Sequence, residues 1–186
     1  TASPFRRPVE SPVSVQSIGA SEIERFPGGN RDISKVVQSL PGVASAASYR
    51  NDVLIRGGAP NENRFFIDGV EVPVVNHFAT QGSSGGPVGM IDVNFIQDVD
   101  LFTGAFPSSR GNALSSVMEF RMKNGNDDRL ARSITAGASD FGVTLDGPVA
   151  RDGRLIFSAR RSYLQYLASA IDRKSTRLNS SHEDLS

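Results

Sequence analysis

The chain has 186 residues with Lys+Arg and Asp+Glu balanced at 20 each, so its formal charge is zero and gives no support to a nucleic-acid or polybasic membrane-surface role. It has no cysteine, which excludes disulfides, thiol catalysis and cysteine-held metal, and its two histidines, His77 and His182, are too far apart in sequence to suggest a metal site. Eighteen glycines and ten prolines predict many turns and short elements, in a length suited to one buried domain or one domain plus a piece of another.

No run of about 18 apolar residues occurs, so no transmembrane helix is expected. The first residues lack the apolar core of a signal peptide, which predicts either a processed start at Thr1 or missing upstream sequence. Residues 1–12, with Pro4, Pro8 and Pro12, read as an extended lead-in. Val13, Val15 and then Ile18 give a half-buried strand. Ser21 can cap a helix over 22–26, with Glu24 completing a capping box, and Pro27-Gly28-Gly29 ends it. Asp32 can cap a second helix over 33–40, which puts Ile33, Val36, Val37 and Leu40 on one face before Pro41-Gly42 stops it. Two short capped helices predict a helical layer on a small sheet, with 43–46 a loop or weak strand.

The rest of the chain is arranged around residues 52–72, DVLIRGGAPNENRFFIDGVEV. Two strand-like runs, Val53-Leu54-Ile55 and Phe65-Phe66-Ile67, flank a glycine- and asparagine-rich excursion, and Asp68-Gly69 joins the second run to Val70-Glu71-Val72. An Asp-Gly pair between such runs predicts a hairpin with a type I′ turn, whose two central residues both need φ > 0. Arg56 and Asp68 fall at strand ends and can pair across that end.

Residues 74–89 contain His77, Phe78 and the run GSSGGPVG, which reads as a flexible linker or as an ordered loop passing close to a neighbour. In 90–102, Ile91, Phe95 and Ile96 suit a helical turn, whereas Val99 and Leu101 alternating with Asp98 and Asp100 suit a strand. A loop with Phe106 and Arg110 leads to a strand in which Val117, Glu119 and Arg121 face one way and Met118, Phe120 and Met122 the other. A charged turn over 123–128 closes a mixed α/β domain over 13–128.

The pattern then changes. Ile134 and Ala136 alternate with Ser133 and Thr135, Val143 and Leu145 with Thr144 and Asp146, and, after a turn over 147–153, Leu155, Phe157 and Ala159 with Ile156, Ser158 and Arg160. Transmembrane barrel strands show one face to lipid and one to the lumen, and this spacing fits them. An ordinary meander with one wet face fits it as well. Arg160 and Arg161 are adjacent, so they face opposite ways, and one of them must reach lipid or the headgroup layer. Residues 129–172 are read as this region, and 173–186 as a non-native tail that leaves His182 without a role.

Four segments in order, PVSVQSIGASEIE, DISKVVQSLPGV, VLIRGGAPNENRFFIDGVEV and IQDVDLFTGAFPSSRGNALSSVMEFRMKNG, resemble the plug domain of TonB-dependent outer-membrane receptors. Asp98-Val99-Asp100, Arg110-Gly111 and Leu114-Ser115-Ser116 depart from the usual family motifs, and with Gly147-Pro148 and Arg160-Arg161-Ser162-Tyr163 they are similar to receptors of Bacteroidetes. The resemblance implies a small mixed sheet with short helices, followed by the first strands of a transmembrane β-barrel, as a fragment. It implies no enzyme and no cofactor, and location in the outer membrane with the plug inside the barrel lumen. Its implied role is to gate uptake of a scarce substrate such as a siderophore, vitamin, glycan or peptide. The implied partners are a TonB-type periplasmic protein, whose docking box would lie at or before Thr1, outer-membrane lipid and, in some members, a surface lipoprotein.

The substrate-facing candidates are Asn61, Glu62, Asn63 and Arg64 before the hairpin, and His77 and Phe78 in the glycine-rich loop. Plain turn, packing or exposure is the alternative for each. Arg56, Gly57, Asp68, Gly69, Arg110 and Gly111 are candidates for holding the plug, with an ordinary surface pair as the alternative for Arg56 and Asp68. A soluble periplasmic or surface binding module, with 133–164 folding alone in water, is the rival function. An enzyme is not supported: Ser162, Asp68 and His77 sit in no triad context, and GSSGGPVG lacks the lysine and helix of a phosphate loop.

Overall fold

A computed structural model describes residues 15–26, 32–45, 51–86, 88–136, 140–149 and 153–162. The lead-in, the Pro27-Gly28-Gly29 break, Tyr163, Leu164 and the 173–186 tail lie outside the described residues. The chain divides into two units between Lys123 and Asn124. Among the described residues no helix is long and apolar enough to cross a membrane.

In chain order the first unit holds β1 (Val15–Gly19), α1 (Ala20–Arg25), α2 (Ile33–Val37), β2 (Val43–Ser45), β3 (Val53–Ile55), β4 (Asn63–Ile67), β5 (Val70–Val72), β6 (Asn76–His77), β7 (Val88–Gly89), β8 (Ile96–Phe102) and β9 (Ser116–Met122). Five strands form a mixed sheet in the order β1-β8-β9-β4-β5, with β4 parallel to β9 and the other pairs antiparallel. Two ribbons, β2 with β3 and β6 with β7, stand apart from it.

The alternation in β9 explains its central place. Met118 and Phe120 enter the main core with Val99, Leu101 and Phe65, and this core also takes Ile23 from α1 and Ile33, Val36 and Val37 from α2. On the other face Val117 joins Phe66 and Phe102 in a smaller cluster flanked by Val15, Phe106 and Ala113. Burying about a dozen such side chains, each worth roughly 1.5–3 kcal/mol, is the main favourable term for a unit of this size.

The helices differ from their expected bounds. α1 starts at Ala20, two residues early, with Gly19 as its N-cap. The Gly19 amide donates to Glu22 at 3.3 Å, but a glycine has no side chain to return the bond, so Ser21 caps nothing and Glu24 instead accepts from Lys123 at 3.1 Å. α2 is capped by Asp32 as expected, its carboxylate accepting from the Ser34 amide at 2.9 Å. It stops at Val37 rather than Leu40, because Ser39 and Leu40 bond back three residues, to Val36 and Val37, ahead of Pro41.

β8 resolves the mixed pattern of 90–102. A 3₁₀ turn over Val93–Phe95 precedes it, Ile96 belongs to the strand, and the register slips between Ile96 and Asp98. This bulge brings Ile96 onto the core face with Val99 and Leu101 despite the odd spacing.

The second unit is an antiparallel meander of β10 (Ala131–Ala136), β11 (Asp140–Val149) and β12 (Gly153–Ser162). The turn expected over 147–153 is shorter than read: β11 runs through Gly147-Pro148-Val149, and Val149 pairs with Gly153. β10 reaches only Asp146, so Pro148 has a partner on one side and its missing N–H is tolerated. Register puts Ile134, Val143 and Ala159 on one face with Leu145, Phe157, Phe141 and Leu155, and puts Ser133, Thr144 and Ser158 on the other with Thr135, Gly142 and Arg160. The apolar face is open, with Ile134 73% and Leu155 and Phe157 each 50% exposed. Arg132, opposite Leu145, and Arg161, opposite Phe141, also lie on that face, and Arg160 points the other way.

Candidate functional site

Because β4 and β9 run parallel, the loops leading into them meet at one end of the sheet. The Glu62 carbonyl accepts from the Leu114 and Ser115 amides at 3.4 and 3.3 Å, and Ser115 Oγ donates to the Ile55 carbonyl at 2.8 Å. Asn63, a substrate-facing candidate with a plain turn as its alternative, is 5% exposed and its side-chain amide bonds into the interior. Its Nδ2 donates to the carbonyls of Val53 at 2.7 Å and Pro60 at 3.0 Å, and its Oδ1 accepts from Ser116 Oγ at 2.7 Å. Glu62 folds back to accept from the Ala59 amide at 3.1 Å, closing the 3₁₀ turn Pro60–Glu62. Arg64 donates to the Asn112 carbonyl at 3.0 Å and lies 3.5 Å from Glu71. Asn61 is the exposed member of the four.

The Asp68-Gly69 hairpin forms as predicted, with φ of 47° and 84° and Ile67 facing Val70. Asp68 also docks on β9: its amide donates to the Phe120 carbonyl at 3.0 Å and its carboxylate accepts from the Met122 amide at 2.9 Å. Arg56 does not pair with it. β3 joins β2 rather than the five-stranded sheet, and Arg56 sits in an exposed turn with Gly57 near the start of β4, whereas Asp68 follows its end. Arg110 lies 4.5 Å over the Phe66 ring and its Nε donates to Glu119 at 2.6 Å, so it covers the smaller apolar cluster. Gly111 has open space around it.

Residues 74–86 run in close contact with their neighbours. Asp52 accepts from the Ser84 and Gly85 amides at 3.0 and 3.3 Å, and Ser84 Oγ accepts from the Val53 amide at 3.0 Å. A Cβ on Gly85 would stand 2.6 Å from the Asn51 carbonyl, and one on Gly86 would fall on the carbonyl of His77. Asn76 is buried: its Nδ2 donates to Asp32 at 2.8 Å and its Oδ1 accepts from Ser34 Oγ at 2.6 Å. Asn51 also donates to Asp32. The tip carries His77 and Phe78, their ring centroids 6.1 Å apart, with Phe78 at φ 61° and 78% exposed.

Sequence reading missed this polar seam of Asp32, Asn51, Asp52, Asn76 and Ser84. The available signal was Asn51-Asp52 set directly before a buried apolar strand, where polar side chains need partners. Burial holds the Asp32 carboxyl above its ordinary range, against the downward pull of Ser34, Asn76 and the charge of Lys35. Burial also raises Asp98, opposed by Arg121 at 2.7 Å and reinforced by Asp100. Arg121 spans both carboxylates, and Ser17 on β1 donates to Asp100. Among the described residues no group of three or more His, Asp or Glu could hold a metal ion.

A mixed sheet with helices on one face, a docked Asp-Gly hairpin and rigid loops at its ends defines a domain of the receptor-plug class. Residues 7–117 match the family described as TonB-dependent Receptor Plug Domain, and the chain belongs to that family. The TonB-dependent transporter Oar of Myxococcus xanthus is 23% identical over 160 residues, and Uncharacterized protein YddB of Escherichia coli K12 is 26% identical over 155. These alignments cover 71% and 72% of this chain but 14% and 20% of the relatives, so the chain spans a small part of their length. The ferric enterobactin receptor PfeA of Pseudomonas aeruginosa, solved in complex with enterobactin, shares the fold at a TM-score of 0.56 and 17% identity, over 83% of this chain and 25% of that one.

Proposed function

We propose that the chain supplies the plug and the first barrel strands of an outer-membrane receptor that gates uptake of a substrate, driven by a TonB-type periplasmic protein. The observation that carries this is the succession, in one chain, of a plug-family domain and an antiparallel sheet whose ten-residue strands β11 and β12 keep one open apolar face and one polar face. Strands of about 9–11 residues span a tilted path through a bilayer, and a barrel wide enough to pass solutes needs a plug to stay closed. On this reading the apolar face meets lipid, Arg161 sits near the headgroups, and the receptor carries out no catalytic step. Arg56, exposed beside Gly57, would hold the plug through a carboxylate of the barrel wall, and Asn61, His77 and Phe78 would face the substrate. PfeA binds enterobactin, but at 17% identity its ligand does not transfer.

The test is electrical. The complete receptor and a form lacking residues 15–123 are compared in planar bilayers. A closed intact channel beside an open, plug-deleted one is expected. Equal conductance, or recovery of the intact protein in the soluble periplasmic fraction, would remove the gating reading.

A further inference from the structure

We propose that Asn124 is a site of spontaneous covalent modification, at which the Gly125 backbone nitrogen closes on the Asn124 side chain and converts it to aspartate and isoaspartate. The sequence has one Asn-Gly pair, Asn124-Gly125, and it stands where the second unit begins. In the first step a bond forms between the Gly125 nitrogen and Cγ of Asn124, and the bond from Cγ to the side-chain nitrogen breaks. The proton of the attacking nitrogen passes through solvent to the departing group, which leaves as ammonia. Water then opens the cyclic imide: attack at Cγ gives aspartate, and attack at the former backbone carbonyl gives isoaspartate. A following glycine has no Cβ to hinder the approach and lets the backbone reach the geometry of attack.

The structure keeps both reacting groups free. Residues 124–130 belong to no helix or strand, and among the described residues the Asn124 side chain and the Gly125 amide have no hydrogen-bond partner. The residues on either side are anchored. The Lys123 amide donates to the Phe95 carbonyl at 2.7 Å, the Asn126 amide donates to the Asp146 carboxylate at 2.7 Å, and Arg154 Nε donates to Asp127 at 2.8 Å. The fold itself demands the glycine, because a Cβ on Gly125 would stand 3.0 Å from Arg154 Cβ and 3.2 Å from the Leu155 nitrogen. Packing on β12 thus maintains the residue that makes Asn124 reactive.

The same chemistry is hindered elsewhere. Asp68-Gly69 and Asp146-Gly147 share the following glycine, but their carboxylates are held by the Met122 and Asn126 amides at 2.9 and 2.7 Å. Asn126 Oδ1 accepts from the Asp128 amide at 2.9 Å, and Asn63 and Asn76 are buried with bonded side chains. Asn61 is exposed but precedes Glu62, whose side chain obstructs the attack. Conversion of Asn124 adds a negative charge beside Asp127 and Asp128, and isoaspartate adds a methylene to the main chain between the Phe95 and Asp146 anchors.

The experiment ages the complete receptor in detergent micelles at mildly alkaline pH, digests it with trypsin in water enriched in heavy oxygen, and reads peptide 124–129 by fragmentation in a mass spectrometer. Acid formed before digestion carries ordinary oxygen at residue 124. Conversion with isoaspartate as the major product is expected at Asn124, about tenfold faster than at Asn61 and about tenfold slower in Gly125→Ala. The signal is expected to be lost in Asn124→Gln, which keeps Gly125 and its packing. Conversion no faster than at Asn61, acid that carries only heavy oxygen, a rate indifferent to Gly125→Ala, or a signal that persists in Asn124→Gln overturns the proposal.

Discussion

Asn63 joins three segments through one amide: the start of β3, the 3₁₀ turn and the start of β9. In the sequence it looked like one of four turn residues, because asparagine favours turns and its buried partners are 10 and 53 positions away. Removing it leaves the Val53 carbonyl and the Ser116 hydroxyl without partners in the interior. Asn63→Ala is therefore expected to destabilise the chain by about 2–4 kcal/mol, read from its denaturant midpoint, whereas Asn61→Ala is expected to stay within about 0.5 kcal/mol. Equal effects at the two positions would place Asn63 at the surface after all. Asp32 carries the opposite kind of lesson. Its role as a helix cap was legible, but its burial among Asn51, Asn76 and Gly89 was not, since that depends on the β6–β7 ribbon folding over α2. With its folded value raised above 3.8, the native state holds the proton more tightly than the unfolded chain. The resulting stabilisation is full below that unfolded value and is lost as pH rises through the folded one. Stability should fall more steeply over this acidic window in the wild type than in Asp32→Asn. Parallel midpoint curves across that window would show that Asp32 does not titrate there.

Single elements were legible where local chemistry decides them. The Asp-Gly hairpin needs only its two central residues, so its position and turn type followed from sequence, and Gly69 at φ 84° carries the requirement. Gly69→Val should cost about 1–2 kcal/mol in the denaturant midpoint while leaving the Asp68 contacts to β9 available. A loss below about 0.3 kcal/mol would mean that the turn relaxes to another type. The glycine-rich loop could not be read the same way, because flexible and tightly packed glycines have the same sequence appearance. Gly86 is of the packed kind, lying against the His77 and Phe78 backbone. Gly86→Ala should therefore displace the tip and destabilise by about 1–3 kcal/mol, an effect that a free linker would not show in the same unfolding measurement. β8 was half legible for a third reason: its bulge between Ile96 and Asp98 breaks the two-residue period on which strand reading depends.

At the scale of the whole molecule, the order of segments identified the plug fold because a fixed succession of cap, hairpin and alternating strand is constrained jointly, even where each motif is loose. The second unit was readable in its alternation and ambiguous in its setting, since a wet meander and a barrel wall share one period. The open face resolves what to measure. Phe157 and Ser158 are neighbours on β12 that point to opposite faces, one beside Leu145 and the other 3.3 Å from Thr144. If the first face meets lipid, Phe157→Arg in the complete receptor should lower the stability of the folded, membrane-inserted form by about 2–4 kcal/mol at mid-bilayer depth. Ser158→Arg, facing the lumen side, should cost much less. The measurement is the folded fraction in lipid vesicles as a function of denaturant. Similar losses from both arginines, or a larger one at Ser158, would mean that the apolar face of β10–β12 packs against protein, and the barrel reading of residues 129–172 would give way to a meander in water.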